Sequence, residues 1–207
     1  MRIILASASP RRVELLRSLK VDFEVIPSQA EELHDAALGT AKLCEFNAAR
    51  KAEEVARMHP DRLVLGADTL VTLNGALFGK PDDLDEAFNM LSELSGQTHR
   101  VITGVCLLHL ATQQRELFSD ETFVTFKELE PETIRKYLEL VPVLDKAGAY
   151  GIQDRGEMLV ERISGSLSNV IGLPVEKVSK ALASWSVISP PADGKSAGLR
   201  NSRNPQS

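Results

Sequence analysis

The residues LVLGA, at positions 63–67, form a continuous apolar run in the middle of the chain. A run of this kind is typical of a β-strand that is covered on both of its faces. The stretch therefore predicts an internal strand, and the elements predicted on either side of it decide the fold class.

Upstream of this strand, the chain alternates between predicted strands and helices. Arg2–Ala6 predicts a short buried strand, after which Ser9 is suited to the N-cap and Pro10 to the first turn of a helix. Phe23–Pro27 predicts a second strand, and Leu38–Met58 predicts a long helix. This alternation is the pattern of an α/β protein.

Downstream, hairpin signals interrupt the alternation. Asn74-Gly75 predicts a tight turn between strands at 71–73 and 76–78. Asp83, followed by Glu86, resembles a capping box that opens a helix. The remaining predicted elements are two strands, Arg100–Leu110 and Glu116–Phe126, and two helices beginning at Pro131 and Pro174. We therefore predict an α/β fold with a mixed sheet.

Composition and charge favour a globular protein and argue against nucleic-acid-binding and membrane proteins. The 207 residues are 43% hydrophobic and 26% charged, as in ordinary globular domains. The net charge of −5 argues against broad nucleic-acid binding. No apolar run approaches the length of a membrane span, and Met1–Leu5 is too short for the core of a signal peptide. We therefore expect no membrane association and a cytoplasmic location.

The two cysteines and the end of the chain complete this outline. Cys44 and Cys106 stand far apart and form no metal-like pair, so both are expected to be reduced thiols. From Ser189 onward the chain has almost no apolar residue and no periodicity. We predict one folded domain over residues 1–188 and a disordered tail over residues 189–207.

The stretch LASASPRR, Leu5–Arg12, carries the first functional signal. Backbone N–H groups at a helix N-terminus bind anions, and the hydroxyls of Ser7 and Ser9 can add donors. Arg11 and Arg12 fall on the first helical turn, where the helix dipole disfavours cations. A polyphosphate would offset that charge. Alternatively, both arginines are solvated surface residues and Ser9 is only a cap.

Asp68, in GADTLV, carries the second signal because it directly follows the apolar strand. A carboxylate at a strand's end can bind a divalent metal or act as a general base. The alternative is that Asp68 is a turn residue or a helix cap. Lys51, Lys80 and Lys146 are each more often surface residues, but together they supply several cations to an acidic protein.

Six motifs, in order, resemble the Maf family of nucleotide pyrophosphatases: LASASPRR, GADTLV, GKP, SGQTHRVITGV, DKAGAYGIQ and SNVIGLP. They span Leu5–Pro174. The resemblance implies two lobes around a curved mixed sheet, with a central cleft. It also implies hydrolysis of a nucleoside triphosphate to the monophosphate and pyrophosphate, with Mg²⁺ or alternatively Mn²⁺. Members of this family are often dimers, so a homodimer is a further expectation.

The resemblance also assigns roles to residues. It implies that Asp68 is the general base and a metal ligand, with Glu32 as a second ligand; Glu31 is the neighbouring alternative. The positions that it implies for phosphate contact are Ser9, Arg12, Lys51 and Lys80, and Lys146 is a further candidate for substrate binding.

Substrate choice follows from the motif DKAGAYGIQ, which resembles the branch that hydrolyses dTTP and UTP. In that branch Arg11, Thr69 and Gln153 fall at specificity positions. A glutamine amide can pair with the imide edge of thymine or uracil. The alternatives are hydrolysis of 7-methyl-GTP or a modified nucleotide, and a nucleotide-binding regulator of cell division.

Overall fold

The computed structural model describes residues 2–187, so the predicted tail over 189–207 lies outside the described residues. The strands are β1 (Ile3–Leu5), β2 (Phe23–Val25), β3 (Leu63–Leu73), β4 (Ala76–Phe78), β5 (Thr98–His109), β6 (Gln114–Phe126) and β7 (Val160–Ser164). The helices are α1 (Pro10–Ser18), α2 (Thr40–Met58), α3 (Leu84–Leu94), α4 (Pro131–Leu140), α5 (Leu167–Ile171) and α6 (Val175–Ser184). Short 3₁₀ turns lie at Ala36–Leu38, Ala147–Ala149 and Gly156–Met158.

The strands form one seven-stranded sheet in the order β2-β1-β3-β5-β6-β7, with β4 paired to the far end of β3. The strand β1 runs parallel to β2 and β3, whereas the pairs β3–β4, β3–β5, β5–β6 and β6–β7 are antiparallel. The predicted α/β fold with a mixed sheet is confirmed. Sequence patterns missed β7 and α5, which are only five residues each.

Local signals place several element ends correctly. The Ser9 hydroxyl caps α1 by accepting a hydrogen bond from the backbone N–H of Arg12. Asp83 caps α3 in the same way, with Glu86 as the donor. The turn between β3 and β4 has positive φ at Asn74 and Gly75, 52° and 87°, as a tight hairpin turn requires.

Helices cover both faces of β3. Leu65 packs with residues of α1 and α6, whereas its neighbour Val64 packs with α2, because successive side chains of a strand point to opposite faces. Further along the same strand, Val71 packs with α3 and α4. The long central strands therefore carry two packed regions, and a cleft lies between them.

The prediction that Asp68 lies at a strand's end is wrong. The strand β3 continues to Leu73, and Asp68 pairs with Gly104 of β5 in the middle of it. What ends near Asp68 is the neighbouring strand β1, whose last bond to β3 runs from Ala6 N–H to the Leu65 carbonyl. Beyond that bond, this edge of β3 faces the cleft.

Two glycines allow α2 to lie directly on the sheet. A Cβ atom at Gly66 would lie 2.2 Å from the Ala48 carbonyl oxygen, and one at Gly104 would lie 2.3 Å from the carbonyl carbon of Cys44. Both distances are far below van der Waals contact. This close approach brings the polar residues of α2 within reach of Asp68.

Both cysteines are buried free thiols, Cys44 on α2 and Cys106 on β5. Their burial raises the pKa values to about 12 and about 11. Within residues 2–187, none of the helices has the length and apolar character needed to cross a membrane.

Candidate active site

A cleft of about 880 Å³ opens between the N-terminus of α1, the middle of β3 and the segments at 145–154 and 170–172. Ten of the residues that the sequence analysis named as site candidates line it: Ser9, Arg11, Arg12, Glu32, Lys51, Asp68, Thr69, Lys80, Lys146 and Gln153. Glu31 does not line the cleft, so the structure distinguishes it from Glu32.

Asp68 lies in the floor of the cleft, and its side chain is only 4% exposed. Its Oδ1 accepts a hydrogen bond from Lys51 Nζ at 2.7 Å, and its Oδ2 accepts one from Asn47 Nδ2 at 3.1 Å. The same Lys51 Nζ donates to Glu32 Oε1 at 2.6 Å. One ammonium group therefore bridges two carboxylates.

Opposing effects act on the pKa of Asp68. Burial is the largest and raises this pKa, but the charge and hydrogen bond of Lys51, the charge of Arg12 and the Asn47 hydrogen bond lower it. The net result is a pKa below the ordinary value of 3.8. Asp68 is therefore a buried carboxylate that is ionised at neutral pH.

One face of α2 holds the segment that carries Glu32. Asn47, Lys51 and Glu54 have the i, i+4, i+7 spacing that places side chains on one side of a helix. Asn47 Oδ1 accepts from Leu33 N–H at 2.8 Å, and its Nδ2 donates to the Leu33 carbonyl at 3.0 Å. This amide therefore fixes the chain directly after Glu32.

Glu54 anchors the same segment further upstream. Its Oε2 accepts from the backbone N–H groups of Gln29, at 2.7 Å, and Ala30, at 2.9 Å, and from the Ser28 hydroxyl. The Ser28 hydrogen bond is the main reason that the pKa of Glu54 is lowered. The Glu32 segment is therefore tied to α2 at both ends.

Arg12 is held by neutral oxygen atoms. Its Nε donates to the Gly172 carbonyl at 2.8 Å, its Nη1 to Ser7 Oγ at 3.3 Å and its Nη2 to Thr69 Oγ1 at 2.9 Å. Burial lowers the pKa of Arg12, and the nearby carboxylates of Asp68 and Glu32 oppose that effect. A guanidinium keeps its charge in proteins, so Arg12 is a fixed cation in the cleft wall.

Thr69 lies in a directed chain of hydrogen bonds. Thr103 Oγ1 donates to the Asn169 carbonyl at 3.1 Å, so the hydroxyl that lies 3.0 Å from it, Thr69 Oγ1, must be the donor in that pair. Thr69 Oγ1 also accepts from Arg12. It therefore faces the cleft with one remaining lone pair and acts there as an acceptor.

Arg11 and Lys146 share one carboxylate. Arg11 Nη1 lies 2.9 Å from Asp145 Oδ2, and Lys146 Nζ lies 2.8 Å from Asp145 Oδ1. Lys146 is buried and also lies 3.7 Å from Asp154 Oδ2. Asp145 therefore offsets the charge of Arg11 on the first turn of α1. Arg11 also lines the cleft, where a ligand can reach it.

Lys80 differs from the other cations of the cleft. It is exposed, and within residues 2–187 it forms no ion pair. Gln153 is also exposed at the cleft wall. These two side chains can therefore contact a ligand without first breaking an intramolecular ion pair.

The donor set suits a metal that arrives with phosphate. Within the described residues, no group of three or more His, Cys, Asp or Glu side chains is arranged to hold a metal ion. Glu32 and Asp68 place two carboxylates around one position, which lies at the Lys51 ammonium group. Mg²⁺ is commonly bound by one or two carboxylates, with phosphate oxygens and waters as the other ligands.

Sequence reasoning missed several residues of the site: Asn47, Glu54, Thr103, Asp145 and Asp154. Asn47 had a detectable signal, because it interrupts the apolar face of α2 four residues before the predicted lysine. Asp145 lies inside a quoted motif next to its partner Lys146, but its contact with Arg11 joins residues 134 positions apart and depends on the tertiary fold.

The model of the family of Maf-like proteins matches residues 2–185. The chain belongs to the Maf family. This Maf protein is 49% identical over 180 residues to the dTTP/UTP pyrophosphatase of Akkermansia muciniphila, which covers 87% of this chain and 94% of that protein. It is 46% identical over 184 residues to the dTTP/UTP pyrophosphatase of Shouchella clausii, covering 89% and 95% of the two chains.

A solved structure, that of the Staphylococcus aureus Ham1 protein, resembles this Maf protein in fold. The TM-score is 0.53 at 14% identity, and the match covers 90% of this chain and all of the Ham1 chain (100%). At this identity the likeness concerns only the fold.

Proposed function

We propose that this Maf protein hydrolyses nucleoside triphosphates, with dTTP and UTP preferred, to the monophosphate and pyrophosphate. The observation that carries the proposal is an ionised carboxylate, Asp68, in the floor of a cleft that Arg12, Lys51 and Lys80 also line. The names of the Maf relatives support the choice of substrates. Because nucleotide pools lie in the cytoplasm, we propose that location as well.

In the proposed reaction, Asp68 orients a water molecule and accepts its proton as the water oxygen attacks the α-phosphorus. The bond between the α-phosphorus and the oxygen that bridges to the β-phosphate breaks, and pyrophosphate leaves with that oxygen. Asn47 and β3 hold the carboxylate still, since Asn47 bonds its second oxygen. Asp68 later returns the proton to solvent.

Fixed cations would stabilise the charge that develops on pyrophosphate. Arg12 is pre-positioned by its three hydrogen bonds, and Lys80 is free of ion pairs within residues 2–187. Glu32 and Asp68 would hold a divalent cation, Mg²⁺ or alternatively Mn²⁺, which when bound supplies further charge neutralisation at the phosphates.

Base selection would fall to Gln153, Thr69 and Arg11 at the cleft wall. The Gln153 amide can donate to a carbonyl of thymine or uracil and accept from N3–H. Thr69 can only accept, because its proton is donated to Thr103. An acceptor at this position can pair with N3–H, the one donor of the imide edge.

The test is pyrophosphate release with Mg²⁺ from dTTP, UTP, CTP, GTP and 7-methyl-GTP. We expect dTTP and UTP to be preferred, and Asp68→Asn to lower kcat at least about 100-fold, as loss of a general base does. Asp61→Asn is the matched control, since Asp61 is exposed and lies outside the cleft lining. Its kcat should equal that of the wild type.

Two outcomes would contradict the proposal. Preferred hydrolysis of 7-methyl-GTP would assign the enzyme to the other substrate class. Nucleotide binding without turnover of any substrate would indicate a nucleotide-binding regulator.

A homodimer stays a prediction, which light scattering of the purified protein tests directly.

A further inference from the structure

The position of the Lys51 ammonium group is unusual for a residue expected to bind phosphate. Its Nζ lies 2.6 Å from Glu32 Oε1 and 2.7 Å from Asp68 Oδ1, the two oxygen atoms offered to a divalent cation. The Lys51 side chain is only 12% exposed. A positive group of the protein itself thus sits at the point where these carboxylates converge.

We infer that Lys51 occupies the divalent-cation position in the nucleotide-free protein and leaves it for a phosphate oxygen, so that metal and nucleotide bind together and not separately. This inference rests on the proposed function, because it concerns the same carboxylates. It assigns Lys51 a second role besides phosphate contact.

Electrostatics makes binding of the metal alone unfavourable. A protonated amine has no lone pair, so Lys51 cannot become a metal ligand while it remains charged. A cation placed beside it would be repelled. Displacing it without a new partner would break two short, charge-assisted hydrogen bonds. Water would replace them poorly, since the side chain is largely buried.

A polyphosphate changes this balance. Each phosphate group offers oxygen atoms to the ammonium, so Lys51 exchanges carboxylate partners for phosphate partners while Glu32 and Asp68 become free for the cation. The four-carbon stem of lysine allows this movement without displacing α2. Asn47 keeps Asp68 in place throughout, because it bonds the other carboxylate oxygen.

The other cations of the cleft do not compete for the metal position in this way. Arg11 and Lys146 are paired with Asp145, and Arg12 is bonded to neutral acceptors. Lys80 is exposed and contacts neither carboxylate. Removal of Lys51 alone should therefore open the position.

The experiment is a titration of nucleotide-free protein with Mn²⁺ alone, followed by electron paramagnetic resonance of the free ion. The variants are Lys51→Gln, Lys51→Arg and, as a matched control that removes one positive charge from the same cleft, Lys80→Gln. Thermal unfolding checks that each variant is folded. We expect Lys51→Gln to bind Mn²⁺ at least about 10-fold more tightly than the wild type, whereas the other two gain nothing.

Besides the absence of a gain in Lys51→Gln, two further results would overturn the inference. An equal gain in Lys80→Gln would mean that general electrostatics, and not occupancy, controls the metal. Tight binding of Mn²⁺ to the nucleotide-free wild type, abolished by Asp68→Asn, would show that Lys51 does not block the position. This second result needs no Lys51 variant, so the inference stays testable even if Lys51→Gln does not fold.

The failure of this inference can be told apart from failure of the proposed function. Hydrolysis of dTTP by the wild type, with no gain of Mn²⁺ affinity in Lys51→Gln, would overturn only the inference. A gain of affinity in a protein that hydrolyses none of the nucleotides would overturn only the proposed function.

Discussion

At the scale of single residues, His99 is a fully buried titratable group outside the carboxylate centre. Its Nε2 lies 2.8 Å from the Tyr150 hydroxyl, and its ring packs edge-on against Phe126 and Tyr150. Its Nδ1 is buried and, among the described residues, has no hydrogen-bond partner. Burial lowers the pKa of His99 from 6.5 to about 4, so the folded protein holds a neutral imidazole beside the cleft.

This burial predicts how stability depends on pH. The unfolded chain binds a proton at His99 below pH 6.5, whereas the folded protein resists protonation until about pH 4. The free energy of unfolding should therefore fall as the pH is lowered through this window, by up to about 3 kcal/mol from His99. Urea unfolding at a series of pH values measures it.

His99→Gln should remove most of the slope between pH 6.5 and 4, because glutamine does not titrate. The control is His34→Gln, the same substitution at an exposed histidine. An unaltered slope in His99→Gln would show that other groups cause the acid sensitivity.

At the scale of elements, the close packing of α2 against the sheet determines the geometry of the site. Gly66 of β3 and Gly104 of β5 leave no room for a Cβ between strand and helix. The helix carries Asn47, Lys51 and Glu54, which hold Asp68 and the Glu32 segment. A shift of α2 would therefore move all of these contacts together.

Gly104→Ala should destabilise the fold by about 1–3 kcal/mol, as insertion of a methyl group into a packed contact does, and should lower activity with it. The new Cβ would meet the backbone of Cys44 and Glu45, which cannot rotate away. Urea unfolding and dTTP hydrolysis are the measurements.

The matched control is Gly79→Ala. A Cβ at Gly79 would meet nothing within 4 Å, and its φ lies outside the left-handed region. Its free energy of unfolding should equal that of the wild type to within about 0.5 kcal/mol. Equal losses in both variants would indicate that the close approach of α2 is not what Gly104 provides.

At the scale of the whole molecule, the cleft differs in charge from the rest of the protein. The chain carries a net charge of −5. The cleft lining, in contrast, has five lysine and arginine side chains and five aspartate and glutamate side chains. Asp145 pairs with two of these cations, Arg11 from α1 and Lys146 in the segment after α4. Incoming phosphates must compete with Asp145 for both cations.

Asp145→Asn should therefore bind inorganic triphosphate several-fold more tightly than the wild type at about 20 mM salt, and the gain should shrink at about 300 mM. Isothermal titration calorimetry measures both affinities. Asp61→Asn removes a negative charge outside the cleft and should show no comparable gain. Unchanged or weaker binding by Asp145→Asn would show that Asp145 orients Arg11 and Lys146 and does not compete with phosphate.

The sequence by itself determined the features that depend on residues close together in the chain. The cap at Ser9, the cap at Asp83 and the hairpin at Asn74-Gly75 follow from side chains and backbone within four residues of each other. The motifs contain eight of the ten cleft-lining candidates, because each motif retains its chemistry in a single short stretch; Glu32 and Lys51 lie outside them and were assigned by the family resemblance.

Tertiary structure alone decided how those residues are paired. Whether β3 continues past Asp68 depends on its bonding to β5, more than thirty residues away, and not on the local pattern. Lys51 contacts Asp68 and Glu32 only because α2 rests on Gly66 and Gly104. Long-range contacts of this kind arise from packing and hydrogen bonding between elements, which no local stretch of sequence encodes.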